Sequence, residues 1–410
     1  MENGNGEKIV LAYSGGLDTS VLAKWLSEKN FEVIAALVDV GQKEETNLEK
    51  KALASGAKKF YSLDAKEEFV SKGVFQCLKA EAKYEGKYLL GTSIARPFII
   101  KKLLEIAKKE KTNILAHGAT GKGNDQCRFE LTAKALEPDV KIIAPWREKE
   151  FRDTIPGRKE AIGYAKKHWI PIVATVKKPW STDANLAHIS HEAGLLEEPW
   201  NESTGEMYEI VTPPENAPDN ATDLAIEFEN GFPIGVNGKQ IQPVELLEFL
   251  NEIGGKNGVG LLDMVENRFV GMKSRGVYES PGMAILYAAH RDLEGITMDR
   301  DLMHLRDSLS PKYAELVYYG FWCSRELHAL NAFVDASQKG VTGTVKLQLY
   351  KGNISIKGRK SPCSLYDENI ATMEKGGSFN QDDSTGFLKI KSLPLKVESR
   401  VNKTLGIDFF

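Results

Sequence analysis

The chain predicts an α/β protein: an N-terminal doubly wound, mostly parallel sheet over residues 1–170, an α+β domain over 171–360 and a C-terminal arm over 361–410. Three observations predict this. From Lys8 to Ile170 short apolar runs alternate with helix-patterned stretches, the reading of a parallel sheet with helices on both faces. After Pro171 the runs instead pair across tight turns such as Asn230-Gly231. A chain of 410 residues is also long enough for two or three domains with ample core.

In the first part, strands are expected at 9–13, 33–40, 59–63, 114–117 and 142–145. Helices are expected between and after them at 19–28, 44–55, 67–82, 93–109, 125–135 and 159–168. Thr92 or Ser93 suits an N-cap, and Pro97 is tolerated in a first turn. In the second part, 222–229 and 232–236 read as one hairpin, and 345–350 with 354–357 as another. Helical stretches fall near 244–253, 282–293 and 299–337, and 213–218 reads as a surface loop. The charged segment 265–279 reads as a solvated loop. His188 and His191, three apart on an expected helix, read as structural because no third metal ligand stands nearby.

Composition excludes several classes. Hydrophobic residues make up 42% and charged ones 27%, an ordinary globular balance, and a net charge of −3 gives no electrostatic reason for a nucleic-acid or membrane partner. Cys77, Cys127, Cys323 and Cys363 stand far apart, which suits a reducing compartment and argues against structural zinc. Residues 1–6 lack the apolar core of a signal peptide, and no apolar run approaches spanning length. The expected location is the cytoplasm.

The most informative stretch is the apolar run entering Ser14-Gly15-Gly16-Leu17-Asp18-Thr19-Ser20. Adjacent glycines let the backbone turn tightly, and the first amides of the following helix point at whatever anion sits there. No lysine follows the glycines, so this is not the P-loop of kinases and GTPases. A strand followed by Ser-Gly-Gly-x-Asp-Thr-Ser resembles the pyrophosphatase loop of enzymes that cleave ATP between the α and β phosphates. Asp18 beside a triphosphate requires an intervening cation, so the ligand is read as ATP with Mg²⁺. A helix N-terminus contributes only about 0.3–2 kcal/mol to anion binding, against about 8 kcal/mol for micromolar affinity. Adenine burial and the cation must supply the rest.

A second glycine loop, 117–128, carries Gly118, Gly121 and Gly123 with Thr120, Asn124, Asp125 and Arg128, polar groups suited to a small charged substrate. It fails both nucleotide-loop templates, and a surface turn is an equally good reading of it alone. Position after another strand of the same sheet favours a place on the same crevice.

Together, 12–20, 88–97, 117–130, 180–181, 188–190 and 266–279 resemble the argininosuccinate synthase family, over a match running from Lys8 to Leu395. The resemblance implies an adenine nucleotide α-hydrolase-like first domain, then a synthetase domain and an oligomerisation arm. The implied reaction is ATP + citrulline + aspartate → argininosuccinate + AMP + pyrophosphate, through a citrullyl-adenylate, in a homotetramer. It further implies an ATP site at Ala12, Tyr13, Ser14, Gly15, Gly16, Leu17, Asp18, Thr19, Ser20, Val38 and Gly118. The implied citrulline contacts are Tyr88, Ser93, Asn124, Arg128, Ser181, Ser190, Glu266 and Tyr278; those for aspartate are Thr120, Asn124 and Asp125. Charge complementarity then gives Arg128 a substrate carboxylate, Glu266 the citrulline ammonium, and Asp125 the aspartate amine, whose proton it accepts. Asp18 and Asp125 are the catalytic candidates. Leu393-Pro394-Leu395 departs from the family's continuous C-terminal helix, so the arm is expected to kink or begin late there. Two rival readings are a tRNA-modifying transferase, which calls for a basic surface, and a nucleotide sensor without turnover.

Overall fold

Parallel pairing of five strands builds the first sheet of the computed structural model, which describes residues 4–42, 47–171, 180–374 and 376–409. Strands β1 (Lys8–Ala12), β2 (Glu32–Asp39), β3 (Lys59–Asp64), β4 (Ile114–Ala116) and β5 (Lys141–Ile143) lie in the order β3-β2-β1-β4-β5. Around them run α1 (Leu17–Glu28), α2 (Leu48–Ala54), α3 (Lys66–Glu68), α4 (Phe75–Lys79), α5 (Gly91–Glu110), α6 (Asp125–Leu136), α7 (Lys149–Thr154) and α8 (Arg158–Lys167). Alternate strand residues point to opposite faces. Val10, Ile34, Ala36 and Val38 therefore pack with Phe69, Ile94 and Leu103, while Ile9, Leu11, Val33 and Ala35 pack with Leu22, Leu26 and Phe151. Burial on both faces is why these strands read as unbroken apolar runs.

The helices depart from expectation in instructive places. The stretch expected as one helix over 67–82 is instead α3, a π-turn over Phe69–Val74, and α4. Helix α5 begins at Gly91 behind a left-handed Leu90, with no side-chain cap. Pro97 thus falls inside it rather than in its first turn, forgoing one ladder bond. Of the helix expected over 44–55, residues 44–46 lie outside the described residues, and α2 starts at Leu48.

Beyond residue 180 the strands are β6 (Ser181–Asn185), β7 (His188–Glu192), β8 (Thr222–Glu229), β9 (Phe232–Val236), β10 (Lys239–Gln240), β11 (Leu261–Asn267), β12 (Lys273–Glu279), β13 (Gly343–Tyr350) and β14 (Asn353–Lys360). Both expected hairpins, β8–β9 and β13–β14, form within a five-stranded antiparallel sheet ordered β10-β9-β8-β13-β14. The remaining four make an antiparallel sheet ordered β11-β12-β7-β6. That second sheet corrects two expectations. The segment 265–279 is a strand pair rather than a loop, and His188 and His191 sit on a strand rather than a helix. Three residues apart on a strand, they face opposite ways.

Helices α9 (Pro243–Lys256) and α10 (Pro281–Thr297) pack on the five-stranded sheet, while α11 (Arg300–Tyr319) packs against α5 and α6 and α12 (Arg325–Ser337) against α11 and α4. The stretch expected as one helix over 299–337 breaks after Tyr319, where Gly320 takes a left-handed φ of 94°, and Ser324 caps α12 by accepting the Leu327 N–H at 3.1 Å. Residues through Cys363 form one compact unit and Ser364–Phe410 a second. The second holds α13 (Glu368–Ala371) and α14 (Asp383–Leu405). Helix α14 begins well before Pro394 and continues through it, so the proline neither delays nor ends the arm's helix.

Candidate active site

At the carboxyl end of the parallel sheet, β1 stands between β2 and β4, from which the strand order runs outward in opposite directions. A crevice opens at such a switch point. Here it is a cleft of about 490 Å³ lined by Ala12, Tyr13, Ser14, Gly16, Asp18, Thr19, Val38 and Gly118, as the nucleotide reading requires. Gly15 turns with φ 79°, and Gly16 is the N-cap of α1. Hydrogen bonds within the loop hold the cradle in shape: Ser14 Oγ lies 3.1 Å from Thr19 Oγ1 and accepts the Gly16 N–H at 3.3 Å. Gly15 and Leu17 are not among the lining residues, and Ser20 turns inward to Tyr13 Oη at 3.1 Å. Asp18 is exposed at the rim, yet the protein around the cleft partly desolvates it and raises its carboxyl, with Arg158 pulling it down.

A smaller cavity of about 220 Å³ adjoins the cleft. Its floor is one face of the four-stranded sheet. Register places Ser181 across from Glu192 and that from Gly276; the next row sets Asp183 against Ser190 and that against Tyr278, while Glu266 pairs with Ser274. These positions share one face because side chains alternate along each strand. Tyr88, entering α5, and Thr120, Asn124, Asp125 and Arg128, from the second glycine loop and α6, complete the walls. Every residue expected to touch citrulline or aspartate lines this cavity except Ser93, which is buried with its hydroxyl unpartnered. Ala119, Asp125, Thr182 and Asp183 line both spaces.

Charge inside the cavity is nearly all paired. Asp125 accepts from Arg96 at 3.0 and 2.7 Å and from Arg128 at 2.9 Å; burial opposes its ionisation, but the two guanidinium groups win and hold its carboxyl well below the usual range. Arg96 also donates to Asp183 at 2.6 Å. A carboxylate so held is a weak proton acceptor. Glu266 is the exception to the pairing. Only 4% exposed, it accepts from Tyr278 Oη at 3.1 Å, and its Oε2 has no hydrogen-bond partner among the described residues. Burial, reinforced by Glu192, pushes its carboxyl up to about 7. His188 is held neutral: burial, with Arg96 and Arg128 nearby, lowers it to about 3, and Thr92 Oγ1 meets its Nε2 at 2.8 Å. His191 faces the other way onto Glu279 at 2.7 Å, so the pair does not form a metal site.

Residues 8–171 match the family described as arginosuccinate synthase N-terminal HUP domain, and residues 180–398 match arginosuccinate synthase C-terminal domain. The chain is 56% identical over 396 residues to the argininosuccinate synthase of Caldanaerobacter subterraneus subsp. tengcongensis, covering 96% of each. It is 55% identical over 403 residues to that of Desulfitobacterium hafniense, covering 98% of this chain and all of the relative. The chain belongs to the argininosuccinate synthase family. A solved structure titled as a predicted subunit of tRNA methyltransferase from Methanocaldococcus jannaschii aligns at 17% identity and TM-score 0.26, over 39% of this chain and 74% of that one, and carries no weight.

For this member of the argininosuccinate synthase family, sequence reasoning missed Thr92, Arg96, Asp183, Glu192 and Arg268, which line the two spaces. It also missed Tyr318, at the end of α11, whose Oη accepts from Asn124 at 2.8 Å and whose carbonyl accepts from Arg128 Nε at 2.9 Å. A signal for part of this set existed. Polar residues alternate at Ser181 and Asp183 and again at Ser190 and Glu192, the period of a strand with one polar face. Reading the histidines as helical hid it.

Proposed function

We propose that this chain joins citrulline to aspartate at the expense of ATP, with residues 1–170 binding the nucleotide, 171–360 completing the substrate cavity and 361–410 serving as an oligomerisation arm. The carrying observation is the shared wall: the cavity that gathers Tyr88, Asn124, Arg128, Ser190, Glu266 and Tyr278 opens onto the phosphate cradle through Asp125 and Asp183.

Citrulline lies along the sheet face. Its ammonium meets the unpartnered Glu266 Oε2, which the ligand's charge returns to the carboxylate form. Its carboxylate meets Arg128, and its ureido oxygen reaches toward the cleft. Attack of that oxygen on the α phosphorus makes AMP a leaving group; the amine of aspartate, held near Thr120, Asn124 and Asp125, then displaces it. Both steps depend on positioning and preorganised charge rather than protein covalent chemistry. The cradle amides and the hydroxyls of Ser14 and Thr19 receive the departing pyrophosphate. Asp18 fits Mg²⁺, because a rim carboxylate whose ionisation is opposed by desolvation gains most from a cation beside it. When bound, that ion neutralises phosphate charge.

A homotetramer fits α14, which leaves Phe387, Leu388, Ile390, Leu393 and Val397 more than half exposed. Cysteines unpaired among the described residues fit a cytoplasmic location. The test is product analysis. ATP with citrulline and aspartate should yield AMP and pyrophosphate in equal amounts, only when both amino acids are present in turnover. ADP among the products, or release driven by tRNA instead, would overturn the reading.

A further inference from the structure

The second step consumes a free amine, yet the amino group of aspartate is an ammonium at neutral pH. Something must take its proton. Asp125 has both oxygens held, Oδ2 by Arg96 and Oδ1 by Arg128. Glu192 is situated otherwise. It ends β7 on the cavity face, two residues beyond Ser190, and directly across on β12 stands Gly276. A Cβ at Gly276 would come within 2.5 Å of the Tyr278 hydroxyl, so glycine there lets the Tyr278 ring lie over the row beside Glu192. Arg268 steadies Glu192 Oε2 at 2.6 Å, while Oε1 makes no hydrogen bond among the described residues, and the side chain stays 37% exposed.

We propose that Glu192 is the general base that frees the amine of aspartate for the second step, a role resting on the substrate reading above. Oε1 accepts one proton from the ammonium and Glu192 becomes the neutral acid. The freed lone pair forms the C–N bond to the activated ureido carbon. The C–O bond to the nucleotide breaks with its electron pair leaving on AMP, whose phosphate takes the second surplus proton of the nitrogen. Glu192 then returns its proton to water.

The charges facing Glu192 support this. Burial raises its carboxyl above the ordinary range; Arg268, beyond β11, opposes, Asp125 on α6 and Asp183 on β6 add to the rise, and Arg128 on α6 opposes. Glu266 on β11 is coupled to it as a like charge. A carboxylate made more basic in this way is a better proton acceptor.

The experiment separates the two steps. In Glu192→Gln, the pyrophosphate burst from ATP and citrulline without aspartate should slow far less than argininosuccinate formation, which should fall about 10²-fold, and the acidic limb of kcat should vanish. Glu192→Asp should keep the limb and recover part of the rate. Arg268→Met should move the limb to higher pH, a readout that stands even if the glutamine variant folds poorly. A limb that persists in Glu192→Gln or stays put in Arg268→Met overturns the proposal, as does a burst slowed as much as product formation. Wild-type protein making no argininosuccinate would instead overturn the substrate reading itself.

Discussion

The nucleotide cleft and the amino-acid cavity adjoin, yet they are built on opposite terms. The cleft's phosphate end is one continuous turn, residues 14–20, shaped by backbone and by hydroxyls that bond each other. The cavity draws on α5, α6, the second glycine loop and all four strands of a sheet, and it gathers the charged side chains of Asp125, Arg128, Asp183, Glu192, Glu266 and Arg268. The first is proposed to bind a group common to every nucleotide, and local geometry suffices for that. The second must recognise particular amino acids, and selectivity requires fixed charges held at set distances by distant parts of the chain. Damage should therefore differ in kind: cleft variants should lose ATP use and keep the fold, while cavity variants should touch both.

The sharpest test is Arg128→Leu. This guanidinium is 4% exposed, pairs with Asp125 and bonds the Tyr318 carbonyl. Its loss should raise the KM for citrulline by about 10²–10³-fold and also destabilise the fold by about 1–3 kcal/mol, since it takes one of two guanidinium partners from Asp125 and leaves the Tyr318 carbonyl without its donor. Steady-state titration with a thermal melt measures both; a defect confined to aspartate would break the assignment of the cavity. Asp18→Ala should weaken use of Mg-ATP by roughly 10–10²-fold with an unchanged melting temperature, because the residue is exposed. A large melting shift there would erase the contrast.

Glu266→Gln sharpens the comparison through pH. The folded carboxyl titrates at about 7, above its ordinary 4.5, so the native state holds a proton that the unfolded state releases between those values. Stability from this group is present below pH 4.5 and declines as pH rises to 7. The variant should therefore be more stable than wild type at pH 8, on the order of 1–3 kcal/mol, and bind citrulline more weakly. Denaturation at pH 5 and pH 8 with and without citrulline checks the sign. The smallest effect expected is Thr92→Val, which removes hydroxyl contacts to His188 Nε2 at 2.8 Å and Asp183 at 3.1 Å, at about 1 kcal/mol by melting.

The same contrast explains what was legible in the sequence. Runs such as Ile9–Leu11 announce strands because burial on both faces leaves no alternation to interpret, and the turn at 14–20 was legible because its residues are contiguous. The four-stranded sheet was hidden. Its strands carry polar side chains on the face that becomes the cavity, so Ser181–Asn185 and Lys273–Glu279 lack the apolar alternation of a half-buried strand. Likewise, Thr92 resembled a cap, but its hydroxyl is spent on Asp183 and His188, contacts that exist only after distant segments meet.

Ala119, Asp125, Thr182 and Asp183 line both the cleft and the cavity, so in the proposed arrangement a substrate lies on either side of them. An activated ureido carbon is quickly destroyed by hydrolysis, and a compound made at this wall meets its amine without a journey through bulk solvent. Shelter of that kind is kinetic. It means the intermediate's survival depends on how soon aspartate arrives.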